Sequence, residues 1–149
     1  MKKIIFTMLG VCAMLCSFSC SDDKEENGSV EDLIGTWIPV ENVDIVKYNG
    51  KIVDEDSDVS HLHILEFRAD GTYYGYGSDD GVLYEEAVYT YKNGVVTLTN
   101  IDEDGSIYSE VMPLKSLTSD ELVIEETEIE KEGDDTYEYY YKAVWKKKK

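Results

Sequence analysis

The chain has 149 residues, and its 32 Asp and Glu against 14 Lys and Arg give a formal net charge of −18 at pH 7. This acidity makes nucleic acid and anionic lipid headgroups poor partners, so attachment to a membrane would have to come from something other than charge. The length suits one domain, and no linker rich in Pro or Ser divides it.

The N-terminal residues predict a secretory leader. Lys2 and Lys3 give a positive start, and residues 4–16 form an apolar stretch too short to be a permanent membrane anchor. Because the composition changes sharply at Cys20, we expect residues 1–19 to be a signal peptide that is removed and is not part of the fold.

All three cysteines, Cys12, Cys16 and Cys20, lie in this N-terminal region, so the rest of the chain has no thiol for a disulfide. Residues 17–20, Ser-Phe-Ser-Cys, resemble the lipobox of bacterial lipoproteins, in which the cysteine becomes the lipidated first residue after cleavage. The resemblance implies lipidation of Cys20 and a membrane partner reached through that lipid.

A polar and acidic segment follows the lipobox. Residues 21–29 contain no apolar residue to bury, so we expect residues 20–30 to be a tether. The segment resembles the surface-export signal of lipoproteins from the Bacteroidetes, which implies a lipid-anchored protein of the outer membrane and leaves open whether its domain faces the cell surface or the periplasm. The alternative is a solvated linker without sorting information.

From Leu33 onward, β-branched and aromatic residues come in short runs separated by turn dipeptides. Asp70-Gly71 and Asn93-Gly94 favour tight hairpin turns because both dipeptides tolerate positive φ angles. The expected strands are 34–43, 45–53, 61–68, 72–76, 83–92, 95–100, 106–117, 122–130 and 136–146.

A sheet of this many sequential antiparallel strands can pair the backbone groups of its two edge strands by closing into a barrel. The prediction is therefore an all-β domain at residues 31–146, folded as an eight- to nine-stranded antiparallel up-and-down barrel. Residues 147–149, all lysine, are expected to form a solvated basic tail.

Side chains alternate between the two faces of a strand, which assigns an interior to the barrel. The aromatic face of the last expected strand, carrying Tyr137, Tyr139, Tyr141, Ala143 and Trp145, is predicted to point inward. Tyrosine suits a half-wet cavity, but as a favoured strand residue it can also simply fill the barrel.

Small residues bear on the same question. Gly75, Gly77 and Ala87 are expected to leave some space inside, whereas the tyrosines argue against much of it. The pattern leaves open whether the barrel is empty or filled.

The order and spacing of four segments resemble the lipocalin-like domains of Bacteroidetes lipoproteins, within the wider lipocalin or calycin group. The segments are residues 33–37 (Leu-Ile-Gly-Thr-Trp), 65–73, 89–94 and 114–122. The resemblance implies an eight-stranded barrel, open at one end to a cavity.

The same resemblance places Gly35 and Trp37 at the closed end. In many lipocalins an arginine of the final strand packs over this Trp, but the only arginine of the present chain is Arg68. The expected substitutes are Lys142, Lys146 and the ring of Trp145.

No arrangement of nucleophile, base and acid suggests catalysis, so we expect neither an enzyme nor a cofactor. His61 and His63 would share one face of a strand and could contribute two ligands to a metal. Two histidines on a strand are more often ordinary polar positions, and no metal site is assigned.

The leading hypothesis is a lipid-anchored envelope protein that binds a small apolar or amphipathic molecule. The candidate ligand-binding residues are Leu65, Phe67, Tyr89, Tyr91, Tyr139 and Tyr141. The alternative is a filled barrel whose acidic surface binds a cationic protein partner.

Overall fold

The structure, a computed structural model, describes residues 28–102 and 104–149. The predicted signal peptide, Cys20 and most of the predicted tether lie outside these residues. One short helix precedes the strands, α1 at Val30–Leu33, and a single 3-10 turn lies at Val59–His61. The strands are β1 (Gly35–Tyr48), β2 (Lys51–Asp56), β3 (His63–Phe67), β4 (Thr72–Gly77), β5 (Leu83–Lys92), β6 (Val95–Ile101), β7 (Ile107–Pro113), β8 (Ser116–Leu117), β9 (Glu121–Glu132) and β10 (Asp135–Lys147).

All ten strands belong to one antiparallel sheet, which confirms the all-β, up-and-down prediction. The order is β7-β6-β5-β4-β3-β1-β10-β9-β8, with β2 paired to β1 off this path. Most strands pair with a neighbour in sequence, but β3 pairs with β1 past β2, and β1 also pairs with β10, which joins the two ends of the domain. Within the described residues no helix has the length and apolar character needed to span a bilayer.

The strand count exceeds the expected eight or nine because two expected strands are divided: 45–53 at the Asn49-Gly50 turn, and 106–117 at Leu114 and Lys115, which separate β7 from β8. The part of 45–53 before this turn continues the expected strand 34–43 as β1. Asn49 and Gly50 have φ angles of 48° and 76°, so β1 and β2 form a tight hairpin that the sequence analysis placed inside one run. Asn93, with φ 52°, makes the corresponding turn that was predicted between β5 and β6.

The sheet curls strongly, but β7 and β8, its two end strands, do not pair with each other. Leu114 and Lys115, which connect them, join the two sides instead. The Leu114 N–H donates to the Gly94 carbonyl at 2.7 Å, and the Lys115 N–H donates to the Val123 carbonyl at 2.8 Å. The molecule is therefore a half-barrel whose edges meet at one end.

That closed end is built around Trp37, whose side chain is fully buried. Its indole N–H donates to the Leu33 carbonyl at 2.8 Å, and Ser29 and Asp32 cap α1 reciprocally. The Gly28 N–H donates to the Leu117 carbonyl at 3.0 Å. The last residues of the expected tether, 28–30, are thus ordered against the domain: Gly28 bonds to Leu117, Ser29 caps α1 and Val30 begins it.

Lys147 packs over Trp37, with its Nζ 4.8 Å from the ring centroid, so the expectation of Lys142, Lys146 or Trp145 in this place is wrong. The reason is register: Trp37 lies opposite Lys147 in the β1–β10 ladder, and opposite residues share a face. Lys142 and Lys146 pair with Glu41 and Glu121 instead. Strand β10 thus includes Lys147, which was assigned to the tail.

At the other end, four strands (β1, β2, β9 and β10) extend past the barrel as an arm, here residues 45–55 and 127–140. Strand β3 pairs with β1 only at Gly35–Trp37, whereas β1 continues beside β2 and β10 to Tyr48. Tyr48 and Tyr137 face each other across the ladder with ring centroids 5.1 Å apart. The arm prolongs the inward face of β10 beyond the barrel.

Replacing Lys147 tests the closed end. We expect Lys147→Ala to lower the free energy of unfolding by about 1–2 kcal/mol, because it removes a half-buried cation from an aromatic face and an N–H donor from the Asp32 carbonyl. Lys146→Ala, its exposed neighbour in an ion pair, should change it by less than about 0.5 kcal/mol. Urea denaturation measures both, and equal losses would contradict the assignment.

Candidate functional site

A cavity of about 390 Å³ opens inside the curled sheet, at the end opposite α1. Strands β3 to β7, β9 and β10 and the 3-10 turn all contribute to it. Its lining residues are His61, Leu62, His63, Leu65, Tyr73, Glu85, Leu98, Glu110, Val111, Met112, Ile124, Glu126, Tyr141 and Trp145. The lining is mostly apolar and aromatic, with carboxylates as its charged groups.

Gly75 makes room for side chains that line the cavity. It lies between Leu65 and Glu85 in the sheet register and is buried. A Cβ added there would lie 3.0 Å from the Tyr73 hydroxyl and 3.4 Å from both the Glu85 Cβ and the His63 Nδ1. A side chain at this position would crowd three lining residues, above all the Tyr73 hydroxyl, so the glycine makes room for the side chains that form the cavity wall.

Aromatic residues fix the walls. The Trp145 indole N–H donates to the His63 carbonyl at 2.9 Å, which ties β10 to β3 across the interior. Burial, with Glu85 and Glu110 nearby, raises the pKa of Tyr73, and burial near Asp44 and Glu126 raises the pKa of Tyr141 to about 12. Both hydroxyls therefore stay protonated and available as hydrogen-bond donors at neutral pH.

The carboxylates are Glu85, Glu110 and Glu126. Burial, and secondly the charge of Glu85, raise the pKa of Glu110 above its ordinary value. Glu110 is reached by solvent through the open cavity, but protein atoms around it replace part of its hydration. No Lys or Arg is among the residues that line the cavity.

The structure brings two of the predicted ligand-binding residues, Leu65 and Tyr141, to this cavity. Phe67 and Tyr89 pack in the core below it, with ring centroids 5.1 Å apart. The Tyr89 hydroxyl donates to the Arg68 carbonyl at 2.8 Å, and the Tyr91 hydroxyl to the Gly28 carbonyl at 3.0 Å. These three residues pack at the closed end and not in the cavity. The alternation of side chains predicted that they point inward, but it does not tell at which end of the barrel they lie.

Tyr139 lies outside the barrel, on the arm. It shares a face with Tyr141, as predicted, but its ring stacks on Tyr137 at 6.4 Å and its hydroxyl lies 3.5 Å from Glu130 Oε2. The alternation of side chains along β10 does not reveal how far the strand extends beyond the barrel.

The two histidines do not share a strand face, because His61 ends the 3-10 turn and His63 begins β3. The Nε2 of His61 lies 3.6 Å from Asp56 and 3.8 Å from Asp58, and His63 stacks on Tyr84 at 5.5 Å. Within the part of the chain that the structure describes, no group of three or more His, Cys, Asp or Glu is placed to hold a metal ion.

Sequence reasoning missed the three cavity carboxylates. A signal was present for Glu85, which lies two residues before Ala87 and so shares the inward face with Tyr89. Glu110 lies opposite Leu98 in the β6–β7 ladder, a register that only the structure shows.

Comparison with known proteins gives one family. A family model described as a lipocalin-like domain matches residues 33–124. No curated protein and no solved structure gives a significant match.

The raised pKa of Glu110 predicts a pH-dependent effect on stability. A carboxyl with a higher pKa in the folded chain binds its proton more tightly when folded, so its contribution to stability falls as pH rises between the unfolded and folded pKa values. Glu110→Gln should therefore raise Tm at pH 7.5, by about 1–3 °C since solvent screens the site, and change little at pH 4.

Thermal unfolding followed by circular dichroism measures this difference. Glu86→Gln, an equal charge change on the exposed face of β5, is the control and should leave Tm nearly constant. A lower Tm for Glu110→Gln at pH 7.5 would contradict the interpretation.

Proposed function

Because the chain belongs to the lipocalin-like domain family, we propose that it binds a small apolar or amphipathic molecule in the cavity at the open end of its sheet. The observation that carries the proposal is the cavity itself. Its volume of about 390 Å³ lies in the range of small-molecule sites, and its lining is largely hydrophobic with a few polar groups.

The residues beneath the cavity support a preformed site. The Phe67 ring packs against the rings of Tyr73 and Tyr89, each with its centroid 5.1 Å away, so these residues are already packed without a ligand. Preorganisation lowers the entropic cost of binding. We infer a binding protein and not an enzyme.

Attachment to the cell envelope is the second part of the proposal. It rests on the lipobox-like residues 17–20 and the acidic segment after them, and places the domain on the bacterial outer membrane through a lipid on Cys20. A single-domain binder on such a tether would take up its ligand close to the membrane surface.

A cationic protein partner remains a second candidate, favoured by the arm. Glu128 and Glu130 lie opposite Tyr139 and Tyr137 in the β9–β10 ladder. Among the described arm residues that pair along this face, Lys51 is the one cation. This association would weaken steeply with added salt, whereas binding of an apolar ligand would not.

Filling the cavity tests the ligand-binding proposal. We expect Gly75→Leu to lower the affinity for 1-decanol at least tenfold, because the new side chain takes the space beside Tyr73 and Glu85. Thr90→Leu, which adds similar apolar volume on the exposed face of β5, should leave the affinity unchanged. Isothermal titration calorimetry on folded variants measures both, and an unaffected Gly75→Leu would place the ligand elsewhere.

Replacing the lipobox cysteine tests the anchor. In the native host, Cys20→Ser should move the protein from the membrane fraction to the soluble fraction and abolish labelling by a radioactive fatty acid. Cys16→Ser, within the same leader, should change neither. Membrane retention of the Cys20 variant would contradict the proposed lipid anchor.

A further inference from the structure

The charge inside the cavity has one sign. Glu85, Glu110 and Glu126 contribute carboxylates, and the lining includes no Lys or Arg. Of the two lining histidines, His61 lies beside Asp56 and Asp58, and His63 stacks on Tyr84. The cavity is therefore an apolar space with a negative field.

These carboxylates are also left out of the ion pairs of the described residues. The lysines and the arginine that form such pairs do so with other acids: Lys47 with Glu138, Arg68 with Glu66, Lys142 with Glu41 and Lys146 with Glu121. Within residues 28–102 and 104–149, no cation neutralises the cavity carboxylates.

The buried amide of Asn100 contacts one of these carboxylates. Asn100 is nine-tenths buried, and its Nδ2 donates to Glu85 Oε1 at 3.2 Å and to the Tyr108 hydroxyl at 3.1 Å. Its Oδ1 accepts no hydrogen bond from any described residue. Asn100 is not itself among the lining residues, but it holds the Glu85 carboxylate in place, and the remaining acceptor capacity of that carboxylate suits a ligand that brings N–H groups.

The arm extends the same chemistry outside the cavity. Tyr137 and Tyr139 continue the face on which Tyr141 reaches the cavity, and Glu128 and Glu130 lie directly across from them on β9. Aromatic faces and carboxylates both attract organic cations. A positively charged ligand would be drawn along this surface to the opening.

We propose, on the premise that the cavity binds a small molecule as argued above, that the ligand is an amphipathic cation: an apolar body carrying a protonated amine or another organic ammonium group. The ammonium group lies by Glu85 and Glu110, and the apolar body packs against Leu65, Leu98 and Trp145. An anionic amphiphile such as a fatty acid is disfavoured, because it would add a fourth negative charge to a partly desolvated site.

Three probes with the same ten-carbon tail test the proposal: decylamine, 1-decanol and decanoate. Each is titrated into the whole chain by calorimetry at pH 7.4 in 150 mM NaCl, which screens the charge of the distant surface. The expected order of affinity is decylamine, then 1-decanol, then decanoate, with decylamine at least tenfold tighter than 1-decanol.

Two variants locate the effect. Glu85→Gln and Glu110→Gln should each lower the affinity for decylamine by about tenfold and leave that for 1-decanol unchanged. Glu86→Gln removes the same charge one residue away, on the exposed face of β5, and should change neither. Circular dichroism establishes that each variant is folded.

The outcomes separate the two proposals. Equal affinity for decylamine and 1-decanol, or tightest binding of decanoate, overturns the cationic ligand and leaves the cavity-binding function standing. An equal loss of decylamine binding in Glu86→Gln overturns the site, because the attraction is then that of the whole chain. Binding of none of the three probes overturns both.

Discussion

The pairing of β1 with β10 is the constraint on which the rest of the structure depends. It joins the start and the end of the domain and runs from Trp37 opposite Lys147 to Tyr48 opposite Tyr137. The ladder shifts register once, between Pro39 and Glu41, where proline has no N–H to donate and a bulge can absorb the extra residue. One end of the ladder seals the core around Trp37, and the other carries the arm beyond the barrel.

This arrangement separates packing from binding along the barrel axis. Large side chains such as Phe67 and Tyr89 fill the closed end, where the Tyr89 and Tyr91 hydroxyls satisfy backbone carbonyls. Above them Gly75 leaves room for the Tyr73 hydroxyl, and Glu85 and Glu110 line the cavity. Because the packed closed end stabilises the fold, the open end can carry partly buried carboxylates that would otherwise cost stability.

Much of the fold was predictable because local chemistry decides it. Asn93-Gly94 needs positive φ angles, and the alternation after residue 136 correctly placed Tyr141, Ala143 and Trp145 on the inward face. Asn49-Gly50 carried the same signal as Asn93-Gly94, and reading it would have given β2.

The site was less predictable, because it depends on register between strands distant in sequence. Alternation assigned Tyr91 and Tyr139 to inward faces, but one lies at the closed end and the other on the arm. Lys147 over Trp37 follows from the offset of β10 against β1, which no local pattern records. Placing Glu110 and Glu126 in the cavity required knowing that β7 and β9 both border the opening.

Native mass spectrometry of the whole chain, purified gently from its own host, would show whether the cavity holds a ligand. We expect a stoichiometric small molecule, apolar or amphipathic, that is released on unfolding and can be identified. A chain that is empty as isolated and is not stabilised by any of a panel of apolar and amphipathic compounds would contradict it.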